Sequence, residues 1–100
     1  MSTKAQKYLE KLNKGPLSFG QLLVALRKAD EVSQASLAKK LNVSRGLICD
    51  IEKERRAASI ELAAKIAKIL GYPKETLIKQ LLDDQLKEAK VKLKVNLEAA

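Results

Sequence analysis

Ser33, Asn42 and Ser44 constrain this chain more than any other feature, because together they force two short helices through one tight turn. Ser33 precedes Leu37, Ala38 and Leu41, so its hydroxyl can accept a first-turn amide and cap a short amphipathic helix over 34–41. Asn42 follows at once, and asparagine tolerates the left-handed backbone that a sharp turn requires. Ser44 can then cap again, and Leu47, Ile48 and Ile51 draw an apolar stripe along a second helix, from Arg45 to about Glu54. The connection is a turn of about three residues.

Elsewhere the punctuation is sparse: Gly15-Pro16, Gly20, Gly46 and Gly71 followed by Pro73. It divides the chain into a basic N-terminal helix or arm at 1–16, a body at 17–83 and an extension at 84–100. Tyr8, Leu9 and Leu12 have helical spacing within 3–13. Ser18 caps a first body helix carrying Phe19, Leu22, Leu23 and Leu26, closed by Arg27, Lys28, Asp30 and Glu31. Ser59 caps a fourth, whose Ile60, Ala63, Ala64, Ile66, Ala67 and Leu70 face a core before Gly71 stops it. Pro73 suits the start of a fifth, with Leu77, Ile78, Leu81, Leu82 and Leu86. In the segment 90–98, Val91, Leu93, Val95 and Leu97 alternate with Lys92, Lys94, Asn96 and Glu98, the period of a half-buried strand. A helix there would set Val91 and Val95 opposite Leu93 and Leu97. The expected fold is all-α: a five-helix bundle with a short N-terminal helix and a C-terminal β-strand.

Composition narrows the function. One hundred residues hold a single core, and 20 Lys and Arg against 12 Asp and Glu leave a formal charge of +8, which favours a polyanionic partner. With no histidine and Cys49 as the sole cysteine, a zinc site, a Cys-His couple and a Ser-His-Asp triad are all excluded. The expectation is therefore no enzyme, no cofactor and no metal. Cys49 has no cysteine to pair with, residues 1–14 lack the apolar core of a signal peptide, and no apolar run nears the ~20 residues of a membrane span. A cytoplasmic, nucleoid-associated protein with no membrane partner is expected. RNA binding ranks low, because Tyr8, Phe19 and Tyr72 are the only aromatics available for stacking on bases.

Residues 33–56 carry a resemblance. Ser33-Gln34, Leu37-Ala38, Leu41, Val43-Ser44, Ile48, Ile51-Glu52 and Arg55-Arg56 resemble in register the helix-turn-helix of Cro and lambda-repressor (XRE-type) regulators. The likeness runs from about Phe19 to Leu82, including Ile66-Ala67 and Leu70-Gly71. It implies binding to an operator in double-stranded DNA, with the second helix of the pair entering the major groove.

On that resemblance Ser44, Arg45, Gly46 and Asp50 form the base-reading face, with Cys49 close to it. Arg45 suits a bidentate contact to guanine, and Asp50 can accept from a cytosine amino group. Gln34, Lys53, Arg55 and Arg56 match positions that grip phosphates, and Lys39 and Lys40 are weaker candidates. Arg27 and Glu52 match a structural ion pair. Three positions depart from the family: Asn42 stands at a turn position often held by glycine, Glu54 stands where a glycine usually follows the recognition helix, implying a longer helix, and Gly46 removes one reading side chain.

Such proteins bind as two-fold dimers, so a homodimer is expected, with Leu82, Leu86, Val91, Leu93, Val95 and Leu97 as its surface and residues 91–97 paired as an antiparallel ribbon. Antitoxins of the HigA and HipB kinds are similar in layout. That likeness adds a cognate toxin protein as a second partner.

Overall fold

The computed structural model describes residues 17–99, and their side chains as far as Leu93. The expected N-terminal helix at 3–13 and the side chains of Val95 and Leu97 lie outside the described residues. Five helices make up the described chain: α1 (Phe19–Ala29), α2 (Gln34–Leu41), α3 (Arg45–Glu52), α4 (Ile60–Leu70) and α5 (Lys74–Ala99).

Serine hydroxyls start four of them. Ser18, Ser33, Ser44 and Ser59 accept from the backbone N–H of Gln21, Ser36, Leu47 and Leu62 at 3.0–3.2 Å. Each satisfies one of the donors that a helix start leaves without a partner. Asn42 ends α2 with φ 57° and Gly71 ends α4 with φ 76°, both left-handed as such stops require. Leu23, Leu26, Leu37, Ile48, Ile66 and Leu77 form the deepest core. Around it α2 packs on α3, α1 on α3, α2 on α4, and both α4 and α1 on α5.

Four expectations are corrected. No strand forms among the described residues, and α5 runs unbroken through residues 91–97. Alternation there suggested a strand, yet no Gly or Pro interrupts the chain from 74 to 100 and the described fold has no strand edge to pair with. A helix satisfies its own backbone, so propagation from the docked first turns wins. Helix α3 ends at Glu52, short of the expected 54, because Lys53 leaves helical geometry and Glu54 turns left-handed at φ 63°. Ile60, expected to face the core, is 50% exposed, since only the stripe Ala63, Ile66, Ala67 and Leu70 of α4 is buried.

Gly20, finally, is no punctuation. It lies inside α1, where an added Cβ would come 2.6 Å from the carbonyl oxygen of Ile51 and 2.8 Å from that of Glu52. Glycine lets α1 touch the backbone at the end of α3. A second tie holds the start of α1: the N–H of Phe19 donates to Asp84 Oδ2 on α5 at 2.6 Å, while Gln80 Nε2 donates to Oδ1 at 3.0 Å. A carboxylate at a helix N-terminus also complements the helix dipole.

Candidate nucleic-acid interface

Helix α3 is held by one face and presents the other. Ile48 and Ile51 are buried, and Leu47 and Val43 pack against the core beside them. The first turn faces solvent: Ser44, Arg45 and Gly46 are all exposed. The nearest atom to a Cβ built on Gly46 is Ser44 Oγ at 3.9 Å, so nothing crowds the backbone there. Cys49 and Asp50 follow one turn on, half-buried at the margin of the same surface. A convex helix with a bare first turn has the shape that enters a DNA major groove.

The end of α3 is fixed by a partly buried polar network. Arg27 Nε donates to Glu52 Oε2 at 2.7 Å and Nη2 to Oε1 at 3.0 Å, with side-chain exposures of 12% and 5%. The remaining terminal nitrogen, Nη1, donates to the Val32 carbonyl at 3.0 Å and so fastens the turn between α1 and α2. Gln34 Nε2 donates to Glu52 Oε1 at 2.8 Å. Sequence reasoning assigned Gln34 to phosphate alone. In the structure its amide is oriented by the Arg27–Glu52 pair, which brings the start of α2 against the end of α3.

Beyond α3, Lys53, Glu54, Arg55 and Arg56 are exposed. The backbone N–H of Arg55 donates to the Asp50 carbonyl at 2.8 Å, and Arg55 Nη1 lies 3.5 Å from Asp50 Oδ1. These two side chains are 64% and 43% exposed. A residue read as a base contact and one read as a phosphate contact are thus neighbours, which nothing in their spacing indicated. Lys39 and Lys40 are exposed at the opposite end of α2, away from the junction where Gln34 meets Glu52. Among the described residues no cluster of ligating side chains could hold a metal ion, and no helix is long and apolar enough to cross a membrane.

Two more contributors escaped the sequence reading: Gly20, which seats α3 on α1, and Asp84, which ties α5 to α1. Asp84 left a signal. Leu77, Leu81 and Asp84 share one helical face, and a carboxylate on a buried face needs a donor.

Two short helices joined by a left-handed asparagine, the second with its first turn open to solvent, define a helix-turn-helix protein. A helix-turn-helix family model matches residues 23–77, and the chain belongs to that family, in its Cro/C1 (XRE) type. An immunity repressor protein of Bacillus phage phi105 is 36% identical over 70 residues, which cover 64% of this chain and 49% of the phage protein. An uncharacterized HTH-type transcriptional regulator of Methanocaldococcus jannaschii is 45% identical over 51 residues, covering 51% of this chain and 77% of the archaeal one. This chain thus spans about half the length of the phage repressor it matches. No solved structure matches it significantly.

Proposed function

We propose that this chain is a sequence-specific double-stranded DNA-binding transcriptional regulator, acting as a homodimeric repressor, with repression of its own gene the simplest circuit. The observation that carries the reading is the open first turn of α3, Ser44-Arg45-Gly46, on a helix anchored from behind by Ile48 and Ile51. Arg45 reads a guanine, Asp50 a cytosine amino group, and Ser44 and Cys49 complete the surface. Gln34, Lys53, Arg55 and Arg56 hold phosphates and set the salt dependence. The formal charge of +8 suits that partner, and a relative bearing the name of a repressor supports the direction of control. One helix-turn-helix reads only a few base pairs, so two copies on a pseudo-palindrome are needed for selectivity.

Selection from a random duplex library, with wild type and Arg45→Ala in parallel, tests the assignment. Wild type should enrich a pseudo-palindrome, and Arg45→Ala should lose the preference at one base pair per half-site, a cost of about 1–3 kcal/mol. No enrichment by wild type, or an unchanged preference in the variant, would reject it.

A further inference from the structure

Helix α5 continues past the bundle to which it belongs. Leu77 and Leu81 are buried and Asp84 reaches α1, but every described side chain from Gln85 to Leu93 is exposed. Among them Leu86 is 55% and Leu93 60% exposed, and Leu82 just before them is 47% exposed. With Ala89 these residues advance by four, three and four positions, the spacing of a two-helix seam. The seam lies about a third of a turn around α5 from the Leu77–Leu81 stripe, so it faces sideways, off the bundle. Glu88 and Lys92, paired at 3.2 Å, support the projecting turns from another side.

We propose that a second copy of this chain covers the seam, with the two α5 helices antiparallel. This deepens the dimeric-repressor reading and rests on it. Charge and shape select the partner and its direction. Leu82 packs against Leu93 of the partner subunit and Leu86 against Ala89 of the partner subunit, each layer then repeating by symmetry, so that large faces large at the ends and small at the middle. In this register Asp83 flanks the seam beside Lys90 of the partner subunit, twice over. A parallel pair instead sets Asp83 beside Ile78 of the partner subunit and crowds both bundles at one end. The antiparallel pair puts the bundles at opposite ends and closes on itself as an isologous dimer. The two Leu77 positions then stand roughly 30 Å apart along the helix axes at 1.5 Å per residue. That is close to the ~34 Å between half-sites one DNA turn apart.

Sedimentation of the full chain from micromolar to submillimolar concentration tests the seam. Wild type should associate reversibly to a dimer and Leu86→Glu, altered at an exposed position, should stay monomeric. Asp83→Lys and Lys90→Asp should each weaken association about tenfold, since each replaces two attractions by two repulsions, and the double variant should recover wild-type association. A monomeric wild type, charge variants that associate like wild type, or a double variant that fails to recover overturns the proposal. In the duplex-library selection, Leu86→Glu should retain the half-site and lose the pseudo-palindrome, whereas retention of the whole pseudo-palindrome also overturns it. A wild type that enriches no DNA counts against the function alone, and the sedimentation series then still decides the seam.

Discussion

Gly20→Ala and Gly46→Ala make the same chemical change at the same local position, the second residue of a serine-capped helix, and they should move stability in opposite directions. Alanine has the better helix propensity, by up to about 1 kcal/mol relative to glycine, and it also restricts the unfolded chain. At position 46 nothing opposes that gain, because the added Cβ meets only Ser44 Oγ at 3.9 Å. Stabilisation by about 0.5–1 kcal/mol follows. At position 20 the same Cβ would lie 2.6 and 2.8 Å from two carbonyl oxygens of α3, which are backbone and cannot rotate away. Either α1 or the end of α3 must shift, at a cost of about 1–3 kcal/mol for an overpacked contact. The two variants should therefore differ by about 1–3 kcal/mol, or roughly 5–20 °C in Tm for a domain of this size. Thermal and urea unfolding followed by circular dichroism measure it. A Gly20→Ala protein as stable as Gly46→Ala would refute the claim that a glycine seats α3 on α1.

The other two predictions concern the end of the same helix. Glu52→Ala strands the nearly buried Arg27 and frees the Gln34 amide, and should cost about 3–5 kcal/mol, whereas Gln34→Ala removes one hydrogen bond to a charged group and should cost about 1.5–3 kcal/mol. Denaturant midpoints rank them, and equal losses would mean that the pair and the amide do not act as described. Glu54→Gly relieves a left-handed residue at φ 63° of up to about 1 kcal/mol and removes a negative charge among Lys53, Arg55 and Arg56. It should hold or raise Tm and tighten binding to duplex DNA at low salt, while Glu54→Gln should change binding alone; weaker binding by both would place that charge away from the phosphates.

Local rules of short range made much of this protein legible in its sequence. Ser33, Asn42 and Ser44 determine where α2 starts and stops and where α3 starts because caps and left-handed residues act within a few positions along the chain. Leu37, Leu41, Ile48, Ile51, Ile66 and Leu70 proved buried because helical periodicity alone selects the inward face. The same arithmetic turns Gly46 outward, since it stands on the side of α3 opposite Ile48 and Ile51, whereas Arg45, three residues before Ile48, was marked by the family resemblance. Alternation at residues 91–97 misled, because a period of two marks a strand only where another strand accepts its hydrogen bonds, and α5 offers a helical template instead.

Tertiary structure decided what depended on pairs distant in sequence. Phe19 and Asp84 stand 65 residues apart and meet only because α5 packs on α1. Gly20 reads as a break until the carbonyls of α3 come within van der Waals reach of it. Gln34 is bound to Glu52, and Asp50 lies beside Arg55, only once α3 ends at Glu52 and the chain turns through Glu54. Capping and amphipathicity act within a turn or two of helix, so the sequence by itself could place the helix starts and choose most of the inward faces. Hydrogen bonds and close backbone contacts act through space, so only the assembled bundle determines which side chains stay free to meet DNA.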